Sequence, residues 1–76
     1  MAAKLPRITP DQFVRALRRD GWALERQAGS HAQYVHPTKP GRVTVPMHKG
    51  VTISPKTLQS MLRSAGLTPD DLRKLL

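Results

Sequence analysis

Cysteine is absent from this 76-residue chain, which removes disulfides, thiolate nucleophiles and cysteine-ligated zinc from consideration. Long apolar runs are missing too. Nothing approaches the ~18 residues of a membrane span, and the opening "MAAKLPRITP" lacks the apolar centre of a signal peptide. A cytoplasmic protein with no membrane partner is therefore expected. Aromatic residues are reduced to one Trp, one Tyr and one Phe, which favours a core role for Tyr34 over base stacking. The scarcest commodity is negative charge. Five Asp and Glu stand against thirteen Lys and Arg, a net charge of +8, and no acid occurs between Glu25 and Asp70.

What is present follows from these gaps. The length allows one small domain over residues 1–76, with residues 1–4 expected as a disordered tail. A chain this short buries only about 60% of its unfolded surface, so any chemistry belongs on a surface or in a shallow groove. The positive field attracts polyanions, nucleic acid above all. With the acids confined to Asp11, Asp20, Glu25, Asp70 and Asp71, that field is expected to be one-sided.

Three hydroxyl–proline pairs, "TP" at 9–10, "SP" at 54–55 and "TP" at 68–69, each supply an N-cap followed by a proline whose missing N–H costs nothing at the first helical position. Gln12 completes a capping box at the first. The 3–4 spacing of Phe13, Ala16 and Leu17, with Val14 beside them, predicts a helix from Pro10 to about Asp20, ended by Gly21. Leu58, Met61, Leu62 and Ala65 predict a second from Pro55 to Ala65, ended by Gly66. A short last helix from Pro69 carries Leu72, Leu75 and Leu76.

Between the first two helices the period drops to two. Residues 22–28, 30–36 and 42–47 predict three strands, with Gly29-Ser30 as a tight hairpin turn and "PTKPG" at 37–41 as a longer one. The result is an α+β fold in the order α-β-β-β-α: a three-stranded antiparallel sheet, both main helices on one face, and a short C-terminal helix. Alternation assigns Trp22, Leu24, Ala32, Tyr34, Val43 and Val45 to the helix-facing side. His31, Gln33, Val35, Arg42 and Thr44 fall on the open side.

His31, in "GSHAQYVHP", thus stands on an exposed strand face in a basic neighbourhood. On position alone a strand histidine is more often a surface residue than a catalyst. A metal site is disfavoured, because the spacing of His31, His36 and His48 matches no ligand motif and no carboxylate lies near them in sequence. A two-metal nuclease would need several carboxylates. RNA, by contrast, carries its own nucleophile in the 2′-hydroxyl, so a histidine to move protons and cations to stabilise the phosphorane charge suffice.

Other candidates are weaker. Lys56 sits in the first turn of the second helix, where the dipole disfavours a cation and a bound phosphate would remove the conflict. His48 and Lys49 lie in a loop just past the third strand, and His48 is the second candidate for proton transfer. His36, before Pro37, is expected to cap a hairpin. Ser30, Arg42, Lys49, Lys56 and His48 are the candidate RNA contacts.

In order, "LPRIT", "LRRDGW", "GSHAQYVHP", "VTVPMHKG" and "TLQSMLRSAGL" give the chain a resemblance to HicA-type toxins, also called YcfA-like proteins, from Leu5 to the C-terminus. Ala32 stands where many relatives carry a second histidine, and Lys56 where many carry glycine. The resemblance implies a fold similar to a double-stranded-RNA-binding domain. It implies cleavage of messenger RNA without the ribosome, by the toxin half of a toxin–antitoxin pair, with the catalytic histidine at His31. It also implies a HicB-type antitoxin partner that covers the toxin and represses the shared operon.

The expectation is a metal-independent endoribonuclease acting on mRNA. It needs no cofactor and is a monomer when free. Two alternatives stay open: a non-catalytic double-stranded-RNA-binding module of the same shape, and an adaptor whose basic face docks on an acidic protein.

Overall fold

The structure, a computed structural model, describes residues 5–76; the tail expected at residues 1–4 lies outside them. Each hydroxyl–proline pair opens a helix. At α1 (Pro10–Arg19) the Thr9 hydroxyl accepts from the Gln12 N–H at 3.3 Å, and the Gln12 side-chain carbonyl accepts from the Thr9 N–H at 2.9 Å. Ser54 caps α2 (Pro55–Ala65) in the same way, without the reciprocal bond. Thr68 caps α3 (Pro69–Leu75), where Asp71 completes a second capping box. The Thr68 N–H, and secondarily its hydroxyl, hold the Asp71 carboxyl below its ordinary pKa.

Glycines end the first two helices as the sequence predicts. Gly21 (φ 103°) and Gly66 (φ 67°) take the positive φ that L side chains avoid. Each lets the following N–H turn back onto the helix, Trp22 to the Leu17 carbonyl at 3.0 Å and Leu67 to that of Leu62 at 2.9 Å.

The three strands are β1 (Ala23–Ala28), β2 (His31–Val35) and β3 (Val43–Pro46), antiparallel in the order β1-β2-β3. Gly29 and Ser30 form the two-residue turn between β1 and β2. The helix-facing side chains Ala32, Tyr34, Val43 and Val45 are buried against Phe13, Ala16, Leu17, Leu58, Met61 and Leu62. Phe13, Leu17, Leu58, Leu72, Val43 and Val45 are fully enclosed, and each such burial contributes about 1.5–3 kcal/mol.

Leu24 departs from the expected pattern. It pairs with buried Tyr34 and so lies on the helix-facing side, yet it is 46% exposed. The cause is the placement of the helices. Both α1 and α2 pack on β3, while β1 contacts chiefly β2, so the whole of β1 overhangs the helical layer and all six of its residues are exposed. Trp22 is buried as expected, but it precedes β1 and packs edge-on against His36, with ring centroids 5.2 Å apart.

Two sets of contacts fix the ends of the molecule. At one end His36 accepts the N–H groups of Thr38 and Lys39 through Nδ1, both at 3.1 Å, which leaves Nε2–H to donate to the Asp20 carbonyl at 2.7 Å. The hairpin-capping role expected of His36 is therefore met, and it extends to the end of α1. Lys39 adds an ion pair with Asp20 at 2.6 Å and a bond to the Ala65 carbonyl. At the other end the Ile53 N–H donates to the Ile8 carbonyl at 2.8 Å, so α1 and α2 start side by side.

Candidate functional site

His31 opens β2, directly after the turn, paired with Ala28 on one side and Pro46 on the other. It is exposed, and its ring makes no hydrogen bond or ion pair among the described residues. The residue before it, Ser30, accepts the Met47 N–H through its carbonyl at 2.6 Å. That bond ties the hairpin turn to the loop that carries His48 and Lys49. Ser30, His31 and this loop therefore share one end of the molecule, the end at which both long helices begin.

His48 and His31 nonetheless serve different surfaces. His48 lines two adjoining clefts of about 300 and 260 Å³. One lies against Thr9, Pro10, Asp11 and Gln27, the other against Pro10, Ser54 and Thr57. His31 lines neither. Lys49 borders the first cleft, and Lys56 is exposed in the first turn of α2 nearby.

Arg42 lies farther along the open face, just ahead of β3. Its Nε donates to Glu25 at 2.6 Å, across the central strand, with the arginine side chain still 60% exposed. This hydrogen bond, and then the charge of Glu25, raise the Arg42 pKa above its ordinary value. Arg42 thus stands on the face expected of it, already paired.

Glu25 is also where the sheet is irregular. β1 pairs Leu24 with Tyr34 and then Arg26, not Glu25, with Gln33, so one extra residue is accommodated in a β-bulge. Past that point every β1 side chain changes face relative to a straight strand. Arg26 and Ala28 come to the open side, in register with Gln33 and His31, while Gln27 pairs with buried Ala32 and takes the helix-facing side. Arg26 is exposed, and its guanidinium makes no hydrogen bond or ion pair among the described residues. Sequence reasoning missed this residue. The available signal was the polar run Glu25-Arg26-Gln27, which breaks the alternation set by Trp22 and Leu24.

The chain matches the family model described as the HicA toxin of bacterial toxin–antitoxin systems over residues 10–67, from the start of α1 to just past α2. It belongs to the HicA toxin family. The stretch common to the HicA family contains all three strands, the Gly-Ser-His turn and the Val-Pro-Met-His loop, and omits only α3 and the lead-in to α1. No curated protein matched the chain. As a HicA family member the chain is the toxin of a pair whose other half is an antitoxin. Among the described residues, no helix is long and apolar enough to cross a membrane.

Proposed function

We propose that this HicA toxin is a metal-independent endoribonuclease that cuts messenger RNA in the cytoplasm, with His31 transferring the proton. One observation carries the reading. A histidine ring with no partner among the described residues stands on an exposed, basic sheet face whose nearby carboxylate, Glu25, is already committed to Arg42. Imidazole both takes and gives a proton near neutral pH, and an RNA strand laid on this face brings its own nucleophile. The 2′-oxygen bonds to the adjacent phosphorus, the bond from phosphorus to the 5′-oxygen breaks, and one proton leaves the 2′-hydroxyl while another reaches the departing oxygen. His31 carries one of those two transfers. Free cations supply the electrostatic part by holding the negative charge that builds on the phosphoryl oxygens. Ser30, Lys49 and Lys56 are candidates to hold the strand, and His48 is better placed for contact along the clefts than for sharing a proton with His31. A HicB-type antitoxin is the proposed partner.

The second reading, a non-catalytic module that binds double-stranded RNA, draws support from α2. That helix has no acidic residue and exposes Lys56 and Arg63. A single experiment separates the two: incubate the protein and His31→Ala with a mixed-sequence mRNA in excess EDTA, and follow cutting and binding together. Cleavage is expected from the parent chain, reduced about 10²–10⁴-fold in His31→Ala, with binding retained in both. If both chains bind and neither cuts, the module reading replaces the nuclease.

A further inference from the structure

The bulge at Glu25 sorts the cations of the open face into one that is paired and one that is not. In a straight strand Glu25 would oppose Gln33, and Arg26 would oppose Ala32 on the helix-facing side. The extra residue instead places Arg26 in a cross-sheet row with Gln33 and Thr44, next to the row formed by Ala28, His31 and Pro46. Residues two apart on a strand share a face, and their rows lie about 6.6–6.8 Å apart. Arg26 is therefore the diagonal neighbour of His31, a separation of roughly 7–8 Å that a long side chain spans.

The electrostatics of the row favour an anion. Gln33 and Thr44 are uncharged, and their side chains make no hydrogen bond or ion pair among the described residues. Glu25, the acid adjacent in sequence, is held by Arg42 at 2.6 Å and so does not compete for Arg26. What remains, among the described residues, is an exposed guanidinium with its fork of donors unused, one row from an unpaired imidazole. A planar fork of this kind matches two phosphate oxygens at once.

We propose that Arg26 binds the phosphate on which His31 acts, and that the β1 bulge exists on this face to put it there. The proposal rests on the nuclease reading for its chemistry and on the sheet register for its geometry. Arg26 contacts the non-bridging oxygens while His31 handles the proton, so the two divide charge and proton between neighbouring rows. Arg42, one row farther on and tied to Glu25, is the lesser contact.

The test has two arms. In an inert His31→Ala background, binding of a labelled single-stranded RNA is measured against salt concentration. Adding Arg26→Gln is expected to make the slope of log K against log salt shallower by about 0.7, the loss of one phosphate contact. Lys74→Gln, which removes the same charge from α3, is expected to change it by less than half as much. In the parent chain, Arg26→Gln is expected to lower kcat/KM about 100-fold. Arg26→Lys should recover only part of that, because a point charge does not replace the fork. A salt slope unchanged by Arg26→Gln overturns the phosphate contact whether or not the protein cuts. A reduced slope in a chain that never cuts RNA overturns the nuclease reading and leaves the phosphate contact standing.

Discussion

The two edge strands of this sheet have the same neighbour and opposite fates. β3 is four residues long, buries Val43 and Val45 completely and lies under both long helices. β1 is six residues long, exposes every one of them and carries the bulge. The helices decide the difference. By packing over β3 they make that edge part of the core and leave β1 as a ledge open on both faces. A sheet of three strands thus separates its tasks: one edge holds the protein together, the middle strand presents His31, and the other edge carries exposed charges in water.

Three substitutions break or sharpen this contrast, in decreasing order of effect. Val45→Ala removes two buried methyl groups beneath the helices and should cost about 2–3 kcal/mol, read as a lower midpoint in urea with little change of slope. In a domain whose whole stability is a few kcal/mol, that is a large share. Glu25→Gln releases Arg42 on the open face. It should strengthen RNA binding about two- to threefold and steepen its salt dependence, while the urea midpoint hardly moves because the broken pair is at the surface. Leu24→Ala on the ledge should lower the unfolding free energy by less than about 0.5 kcal/mol, with the urea midpoint almost unmoved. If it costs as much as Val45→Ala, β1 is covered in solution and the contrast fails.

The helices were readable from their punctuation. Thr9-Pro10, Ser54-Pro55 and Thr68-Pro69 mark starts that are local in origin, since a hydroxyl cap and a proline act within one turn whatever the rest of the chain does. The apolar stripes Phe13–Ala16–Leu17 and Leu58–Met61–Leu62–Ala65 all reach the core as spaced. The order of strands and the Gly29-Ser30 turn were legible for the same reason. Leu24 was not. Its pattern is that of a buried residue, and only the lateral position of the helices, a tertiary fact, leaves it in water. Arg26 escaped because alternation assumes a straight strand, whereas one accommodated residue exchanges the faces of everything beyond it.

The site divides along the same line. Placing His31 on the open face needed only the parity of β2, and the structure has it exposed there. Counting Arg42 as a free phosphate contact required knowing whether an acid lies across the sheet. Glu25 is seventeen residues away in sequence, and nothing local announces the pair. His48 could be placed in a loop, but not on the clefts it borders, because those clefts arise only where α1 and α2 begin together through the Ile8–Ile53 bond.

The bulge has one more consequence, for solubility. A long strand left outside the helical layer offers a row of free amides and carbonyls to any second copy of the chain, and such rows are the usual seeds of edge-to-edge aggregation. An extra residue between Leu24 and Arg26 interrupts that row and twists it, which works against two ledges pairing along their length. The kink that sets Arg26 in the row beside His31 also makes β1 a poor template for a second strand.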